Sequence, residues 1–332
     1  MKLVTFRAND ARGPRAGALL AAGEQIVDLS AAYTARYHEA APALESVLAI
    51  AEGGAAALDK ASEVARTAPT ATPDAIISRS AAELLAPIPQ PPQMRDFLCF
   101  EKHLKQAFHQ ARKVRASTAP DPEAAMREME ANGTLVVPKA WYERPLYYHP
   151  NRLFVIGTDT DVAWPSYSKL MDFELEFGCY IGASGRDIER ADARAHIFGY
   201  TIFNDFSARD EQTKEMPGQL GPGKGKDFDG GNAMGPCLVT ADEIGDPYRL
   251  DMAVRVNGEE WGRGNSRDMH WKFEDCIAHA ARSATLHPGE FFGSGTVGDG
   301  CGLEQMRFLK PDDVVELEVE KIGILRNRIV QA

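Results

Sequence analysis

The sequence predicts an α+β protein that is mainly β, with a small α+β domain at its N-terminus. From Leu153 onward, short runs of β-branched and aromatic residues alternate with glycine and proline turns, which is typical of closely spaced strands. Residues 1–88 differ, because an alanine-rich stretch that favours helix follows two strand-like pieces there. A proline-rich segment separates the two parts. These three observations define the predicted architecture.

The elements follow in chain order. In the N-terminal part, the pattern predicts strands over residues 2–7 and 25–29 and helix over residues 41–65. In the later part, it predicts strands over residues 174–181, 196–204, 236–240, 250–256 and 314–319.

The proline-rich segment predicts a domain boundary. Pro87, Pro89, Pro91 and Pro92 stand close together, and prolines at that density make a stiff extended linker. The predicted domains are therefore residues 1–88 and residues 89–332. Residues 108–140 predict a connector and a helix inserted before the strand-rich core. This insertion is a candidate lid, and a static helical insertion is an equal alternative.

Composition excludes several classes of function. The formal net charge of −11 argues against binding to nucleic acid or to an anionic membrane, because both demand a basic surface. No run of residues approaches the ~18 apolar residues of a membrane span. The five cysteines are scattered and form no Cys-x-x-Cys pair, which predicts reduced thiols and a cytoplasmic protein.

Two glutamates stand two residues apart in an apolar stretch. Read as a strand, Glu174 and Glu176 point to one face, while Phe173, Leu175 and Phe177 point to the other. Two like charges that close repel each other, so the pair needs either open solvent or a cation. A hard divalent metal is one interpretation, and a strand with a solvated polar face is the other.

A second polar segment follows the β-branched and aromatic run at residues 197–202. Asp205 stands after Asn204, where that predicted strand ends and a helical segment begins. A carboxylate at this strand terminus is suited to be a third oxygen ligand. The alternative is a helix N-cap, since Asp or Asn before a helix is favoured for backbone reasons alone.

Four motifs in order resemble the fumarylacetoacetate hydrolase family. They are Glu-x-Glu from Glu174, Asn-Asp-x-Ser-Ala-Arg-Asp-x-Gln from Asn204, Gly-Lys-Asp-Phe from Gly225 and Gly-Ser-Gly-Thr from Gly293. The resemblance covers residues 94 to 325 and points to the acylpyruvate or β-diketone hydrolase type. It implies a mixed β-roll or sandwich fold for the C-terminal domain.

The resemblance also implies a metal site. In the family, the two strand glutamates and the aspartate after Asn hold Mg²⁺ or a similar ion, which transfers to Glu174, Glu176 and Asp205. Asp96 matches the position of a fourth carboxylate. An oxygen-only set suits a hard cation, so Mg²⁺ is expected, with Mn²⁺ or Ca²⁺ as alternatives, and zinc is not.

The same resemblance implies three catalytic residues. His103 matches the catalytic histidine, Glu304 matches the glutamate that orients it, and Lys226 matches a lysine that faces the substrate or its oxyanion. A carboxylate on one ring nitrogen raises the basicity of the other, so the pair can take a proton from water. Taken alone, a histidine at the start of an amphipathic helix is more often a solvated surface residue. Glu101 is a second candidate, although it precedes the histidine instead of following it.

Substrate contacts are the last inference from the resemblance. The implied substrate-binding residues are Arg112, Tyr148, Arg209, Gln212 and Thr296. For Arg112 and Tyr148 the alternatives are an ordinary surface cation and a half-buried tyrosine. Leu98 stands where the mammalian-type segment has a tyrosine, so identical substrate recognition is not expected.

Together these expectations describe a hydrolase acting on carbon–carbon bonds in ketonic substances. The expected substrate is a 1,3-dicarbonyl acid such as an acylpyruvate or fumarylacetoacetate, with its diketo group chelated by the metal and water activated by the histidine. One alternative is a decarboxylase, isomerase or hydratase of an oxo acid that uses the same metal and an enolate. A second alternative is a metal-dependent binding protein without catalysis. Relatives in the family imply a homodimer.

Overall fold

A long mixed β-sheet runs through the centre of the protein. The computed structural model describes residues 1–10, 12–20, 23–117 and 119–331. The strands are β1 (Lys2–Ala8), β2 (Arg15–Leu19), β3 (Gln25–Asp28), β4 (Ile76–Ser78), β5 (Ala82–Leu85), β6 (Met94–Phe97), β7 (Tyr147–Tyr148), β8 (Val155–Ile156), β9 (Asp161–Trp164), β10 (Met171–Asp172), β11 (Leu175–Ile181), β12 (Gly185–Arg186), β13 (Ile197–Asp205), β14 (Ser207–Ala208), β15 (Asn232–Thr240), β16 (Asp251–Val256), β17 (Glu259–Asn265), β18 (Thr285–Leu286), β19 (Phe291–Gly293), β20 (Val314–Val319) and β21 (Gly323–Gln331). The helices are α1 (Leu29–Tyr37), α2 (Val47–Glu52), α3 (Gly54–Ala71), α4 (Glu101–Ala116), α5 (Pro122–Ala131), α6 (Lys139–Glu143), α7 (Arg209–Glu215), α8 (Ala241–Ile244) and α9 (Phe273–Ala280), joined in places by 3₁₀ turns.

Two sheets account for most of the strands. The 12-stranded sheet has the order β4-β3-β2-β1-β15-β13-β11-β19-β6-β7, with β5 attached to β1 and β8 attached to β15. The 5-stranded sheet has the order β17-β16-β20-β21-β9. An α+β class with a large sheet is therefore confirmed.

The first five strands belong to the same sheet as the strands that follow the proline-rich segment. β1 pairs antiparallel with β15, placing Lys2 opposite Val239 and Leu3 opposite Leu238. The hydrogen-bonded ladder thus continues from the N-terminal region into the rest of the chain. The boundary at residue 88 stays a prediction.

The core lies in two layers on opposite faces of the long sheet. Side-chain alternation along each strand sends Val4 and Cys179 to one layer and Leu3 and Tyr180 to the other. The first layer also contains buried residues of the 5-stranded sheet, and the second contains the buried faces of α1, α2 and α3. The strands between them are therefore buried on both faces, and β11 has no exposed residue.

Most predicted elements are found with small shifts of their ends. The predicted helix over residues 41–65 is instead divided, because α2 ends before Gly53 and α3 begins at Gly54 and continues to Ala71. Gly54 adopts a φ of 59°, in the left-handed region that interrupts a helix. β2, with the sequence Arg-Ala-Gly-Ala-Leu, was not predicted, since its residues have little strand propensity and it forms by pairing with β1.

The predicted insertion at residues 108–140 contains α5 and the start of α6, and begins inside α4. Its role as a lid stays a prediction. Across the described parts of the chain, no helix combines the length and apolarity needed to cross a membrane. The five cysteines are buried free thiols.

The core packed against β11 supports the strand that carries Glu176. Phe177 is fully buried and its ring centroid lies 5.1 Å from that of Phe273. We expect Phe177→Ala to lower the free energy of unfolding by about 3–5 kcal/mol, since it leaves a cavity in a two-sided core. Leu220→Ala is the matched control, because Leu220 is 99% exposed and its truncation should change stability by less than about 0.5 kcal/mol. Urea unfolding measures both, and equal effects would contradict the described packing.

Candidate active site

Three buried carboxylates meet at one place in the long sheet. Asp96, Glu176 and Asp205 each offer an oxygen atom, and these oxygens all lie within 4.8 Å of one another. Asp96 is 4% exposed, and the other two residues are fully buried. Three of the four predicted metal ligands are thus brought together by the fold.

Strand order explains why residues so distant in sequence meet. Asp205 ends β13, Glu176 lies on the neighbouring β11, and Asp96 lies on β6, which is separated from β11 by β19. Gly293 on β19 stands opposite Asp96, and a Cβ at Gly293 would lie only 2.3 Å from Asp96 Oδ1. The missing side chain therefore lets Asp96 reach across β19 to the acids beyond it.

The cluster carries more negative charge than its surroundings balance. Burial and the charge of Asp205 raise the pKa of Asp96 well above its usual range, and burial and the charge of Asp96 do the same to the pKa of Glu176. Glu176 Oε2 and Asp205 Oδ1 are buried without a hydrogen-bond partner among the described residues. Three buried carboxylates, two of them with an unpaired oxygen, fit the ligand set of a hard divalent cation.

Glu174 has a different environment from Glu176. Its Oε2 lies 2.6 Å from Lys226 Nζ, and its Oε1 lies 2.7 Å from an Arg209 nitrogen. Burial acts to raise the pKa of Glu174, but the charges of Lys226 and Arg209 hold it well below its ordinary value. Here Glu174 is paired with two cations at the edge of the cluster. The alternative of a solvated polar face is wrong, because Glu174 is 6% exposed and Glu176 is fully buried.

Asp205 connects the cluster to two further predicted residues. Its Oδ2 accepts a hydrogen bond of 2.6 Å from the Tyr148 hydroxyl and lies 2.8 Å from Lys226 Nζ. Asp205 does not cap a helix, because α7 begins at Arg209 and has Ala208 as its N-cap residue. Tyr148 is half-buried on β7, opposite Asp96, and burial and the charge of Asp205 raise the pKa of its hydroxyl well above 10.0.

The predicted histidine and glutamate form a buried pair. His103 Nδ1 lies 2.9 Å from Glu304 Oε1, and Glu304 Oε2 accepts a hydrogen bond from the backbone nitrogen of Cys301. His103 lies on the buried face of the first turn of α4, so the interpretation as a solvated surface residue is wrong. Cys301, whose amide binds Glu304, also forms a backbone bridge with Glu174, so the pair lies beside the acids.

Glu101 points elsewhere. Its Oε1 accepts a hydrogen bond from Tyr142 and pairs with Lys105 at 2.8 Å. These two contacts lower the pKa of Glu101, with that of Lys105 the larger. The structure shows no contact between Glu101 and His103.

The predicted substrate-binding residues divide into two groups. Thr296 donates a hydrogen bond of 3.3 Å to Glu176, and Arg209 donates one of 2.9 Å to Gln212, so these residues line or support the acids. Arg112 is buried but pairs with Glu130 at 2.7 Å and lines a separate cavity of about 360 Å³ between α4, α5 and residues 135–142. The fold does not bring Arg112 into contact with the carboxylates.

Asp172 has a structural role that was not predicted. It is fully buried, and it accepts hydrogen bonds from Arg209 Nε at 2.7 Å, Gly302 N at 2.8 Å and Leu303 N at 3.0 Å. It thus joins the arginine beside Glu174 to the 3₁₀ turn that carries Glu304. A sequence signal existed, because Asp172 has the same alternation parity as the two glutamates that follow it.

Asn204, the first residue of the Asn-Asp motif, fixes the backbone before β11. Its side-chain oxygen accepts a hydrogen bond of 3.0 Å from the backbone nitrogen of Glu174. This bond fixes the backbone of Glu174, which lies between β10 and β11, just before β11 begins. The motif position predicted its importance, and only the pairing of β11 with β13 shows its partner.

Known proteins are similar in sequence to this chain over nearly its whole length. Residues 94–330 match the family model described as fumarylacetoacetate (FAA) hydrolase C-terminal. A protein of Xenopus laevis named oxaloacetate tautomerase fahd2, mitochondrial, is 32% identical over 334 residues, which cover 99% of this chain and 90% of that protein. The Homo sapiens protein named oxaloacetate tautomerase FAHD2A, mitochondrial, is 30% identical over 335 residues, covering 99% of this chain and 92% of that protein. The chain belongs to the fumarylacetoacetate hydrolase family.

Solved structures show the same fold. A fumarylacetoacetate hydrolase from psychrophilic Exiguobacterium antarcticum superposes with a TM-score of 0.72 at 22% identity, covering 100% of both chains. A maleylpyruvate hydrolase from Sphingobium sp. SYK-6, in complex with manganese (II) ion and pyruvate, superposes with a TM-score of 0.70 at 20% identity, again over 100% of both chains. The predicted fold is confirmed by these superpositions.

The raised carboxyl pKa values predict how stability depends on pH. For Asp96 and Glu176 the folded-state pKa lies above the unfolded one, so their contribution to stability is present below the unfolded pKa and is lost as pH rises through the folded pKa. Through these two carboxyl groups, the metal-free protein should therefore become less stable as the pH rises. Added Mg²⁺ or Mn²⁺ should raise the melting temperature more at about pH 8 than at about pH 6, because the cation needs deprotonated ligands.

Glu176→Gln serves as the comparison for this experiment. It removes one buried charge, so it should stabilise the metal-free protein by about 1–3 kcal/mol at neutral to alkaline pH and abolish most of the cation-induced rise. Thermal unfolding with and without chelator measures both effects. A cation-induced rise that is equal in Glu176→Gln and in the unsubstituted protein would refute a metal site at this cluster.

Removal of Asp172 should destabilise the protein strongly. Asp172→Ala leaves Arg209 with fewer partners and removes the acceptor of three interior backbone amides, those of Phe173, Gly302 and Leu303, so we expect a loss of about 3–5 kcal/mol. Asp161→Ala is the matched control, since Asp161 forms an exposed pair with Arg328 and its loss should cost about 1 kcal/mol or less. Urea unfolding separates the two. Similar losses for both variants would show that Asp172 does not connect the two parts of the site.

Proposed function

We propose that this protein is a tautomerase of a small 2-oxo dicarboxylic acid, with oxaloacetate as the leading candidate, and that it works with a bound divalent cation. The observation that carries the proposal is a buried, electron-rich carboxylate cluster beside a histidine that is held by a glutamate. Such a site can polarise a 2-oxo group and move a proton at the adjacent carbon. The relatives that match 99% of the chain bear the name oxaloacetate tautomerase, which supports this substrate class.

The cation would be held by Asp96, Glu176 and Asp205, with Glu174 within reach once its ion pairs rearrange. Mg²⁺ is the proposed ion, and Mn²⁺ and Ca²⁺ suit the same oxygen ligands. When bound, such a cation acts as a Lewis acid that withdraws electrons from the carbonyl of a 2-oxo acid. The remaining steps depend on the side chains of this chain.

His103 is the proposed acceptor of the carbon-bound proton. The 2.9 Å contact between its Nδ1 and Glu304 holds a proton on Nδ1, which leaves the lone pair on Nε2. Nε2 can then remove a proton from the carbon next to the 2-oxo group and return it to oxygen or carbon. Glu304 stabilises the positive charge that the ring carries between these two steps.

Lys226 is the proposed donor to the substrate oxygen. Its ammonium lies 2.6 Å from Glu174 and 2.8 Å from Asp205, so it is held beside the carboxylates by two ion pairs. A positive group placed there stabilises negative charge as it develops on the enolate oxygen, by an amount typically of about 3 kcal/mol per donor. Gln212, Thr296 and Tyr148 surround the same carboxylates and are proposed to orient the substrate.

Hydrolysis of a carbon–carbon bond is the second candidate. The His103–Glu304 pair favours it too, because the same Nε2 lone pair can take a proton from water. The two reactions differ in the product: a tautomerase returns the same carbon skeleton, whereas an acylpyruvate hydrolase releases pyruvate and a second carboxylic acid. Oxo-acid decarboxylation would instead release CO₂.

The decisive experiment compares substrates and one pair of variants. With Mg²⁺ or Mn²⁺, the protein should speed the loss of enol absorbance from oxaloacetate without releasing CO₂. His103→Ala should lower this rate about 10²–10⁴-fold, because the proton acceptor is gone. His109→Ala is the matched control, since His109 lies on the same helix and is half-buried away from the pair.

The outcome assigns the reaction. Unchanged turnover in His103→Ala would exclude the proposed base, and carboxylic acid formed from acylpyruvates faster than oxaloacetate is tautomerised would favour the hydrolase. Tight binding of oxo acids without turnover would favour a non-catalytic binding protein. The homodimer and the cytoplasmic location stay predictions, and the names of both relatives place those proteins in mitochondria.

A further inference from the structure

A second cluster of side chains with metal-ligand atoms lies beside Glu174, whose backbone bridges to that of Cys301, and it has a different chemistry. His103, Cys301 and Glu304 are all buried, and each offers a nitrogen, sulfur or oxygen atom within 4.8 Å of the others. His103 Nδ1 lies 2.9 Å from Glu304 Oε1 and 4.0 Å from Cys301 Sγ. The thiol of Cys301 has no role in the proposed tautomerisation.

The spacing of these three atoms is close to that of a tetrahedral metal site. Zinc binds nitrogen and oxygen at about 2.0–2.1 Å and sulfur at about 2.3 Å, so its ligand atoms stand about 3.3–3.6 Å apart in a tetrahedron. The distances of 2.9 Å and 4.0 Å from His103 Nδ1 lie on either side of this range, so side-chain shifts of a few tenths of an ångström bring the atoms to it. The oxygen-only cluster suits hard cations, whereas a thiol and an imidazole select softer ones.

Charge balance also favours a dication at this second position. One thiolate and one carboxylate cancel the charge of Zn²⁺, and the neutral imidazole adds no charge. A buried site that is neutral overall avoids the cost of an uncompensated ion in the interior. His103, Cys301 and Glu304 leave the fourth position of the tetrahedron for water or a substrate oxygen.

We propose that His103, Cys301 and Glu304 form an inhibitory site for a thiophilic divalent cation such as Zn²⁺, separate from the oxygen-only cluster. As the cation binds, the Cys301 thiol proton leaves to solvent and the sulfur lone pair forms the metal–sulfur bond. The proton on His103 Nδ1 moves through solvent to Nε2, and the Nδ1 lone pair forms the metal–nitrogen bond. Nε2 then carries a proton and cannot accept another.

Binding and inhibition are separate parts of the proposal. The binding part rests only on the three side chains. The inhibition part rests on the proposed function, because it requires His103 to be the base. An assay of metal binding and an assay of turnover therefore distinguish failure of one part from failure of the other.

The binding test uses Co²⁺ and Zn²⁺ on full-length protein whose oxygen-only cluster is saturated with Mg²⁺. Bound Co²⁺ should show a thiolate-to-cobalt charge-transfer band in the near ultraviolet, and Zn²⁺ should remove it. Cys301→Ala should lack this band and bind Zn²⁺ at least about tenfold more weakly. Cys237→Ala is the matched control, since it removes another buried free thiol, which donates to the Ile322 carbonyl.

A third variant separates the two metal sites. Glu176→Gln disables the oxygen-only cluster and should keep the thiolate-to-cobalt band. The proposal is overturned if Cys301→Ala keeps the band and binds Zn²⁺ with unchanged affinity, or if Mg²⁺ displaces all bound Zn²⁺. Melting temperatures show whether each variant is folded, so loss of the band in a folded Cys301→Ala is interpretable.

The turnover test measures the rate of each variant against its own zinc-free rate. Zn²⁺ should inhibit the unsubstituted protein and Cys237→Ala in the presence of excess Mg²⁺, and should inhibit Cys301→Ala at least about tenfold less effectively. Equal inhibition of Cys301→Ala contradicts the inhibitory role. If no variant turns over oxaloacetate, the proposed function fails, while the cobalt spectrum still decides whether the site exists.

Discussion

The structure depends on three carboxylates that are held close together in an interior that disfavours their charge. Asp96, Glu176 and Asp205 come from three strands. β19 lies between the strands of Asp96 and Glu176, and Gly293 on β19 has no side chain that would separate these two acids. Like charges at this separation raise one another's pKa, and burial adds to the effect. A site of this kind is stable only when protons or a cation supply positive charge. The core that packs on both faces of the long sheet, with β11 at its centre, keeps the acids from moving apart.

Positive charge is supplied unevenly around the cluster. Glu174 is held by both Lys226 and Arg209, and Arg209 is shared with Asp172, so this edge of the site is balanced by ion pairs. Glu176 accepts one long hydrogen bond from a threonine and keeps a buried oxygen without a partner among the described residues. Negative charge is therefore balanced by cations at Glu174, at the edge of the cluster, and left unbalanced at Glu176, in its centre. This difference explains why a divalent cation suits the centre. The Lys226 ammonium lies between these two regions, paired with both Glu174 and Asp205.

The His103–Glu304 pair is connected to this cluster through Asp172. Asp172 binds the amides of the turn that carries Glu304, and it also binds Arg209, which contacts Glu174. A single buried aspartate therefore couples the position of the proposed base to the position of the acids. The same construction sets a thiol next to an imidazole and a carboxylate, so hard and soft cations meet different ligands within one site. With both ligand sets present, the proposed activation by hard cations and the proposed inhibition by soft cations depend on different side chains.

Local patterns in the sequence were enough to predict several of the longer strands, the α+β class and the common face of the two strand glutamates, because side-chain alternation depends only on neighbouring residues. Motif resemblance added His103 and Glu304, which the fold places 2.9 Å apart. The different surroundings of Glu174 and Glu176 were not predictable, since they depend on which strands and helices lie beside β11. Arg112 was expected at the substrate and instead pairs with Glu130, because the packing of α5 on α4 decides its partner. The sequence by itself determined which residues are candidates for chemistry, whereas pairing between distant strands decided which of them touch, since no local pattern records those contacts.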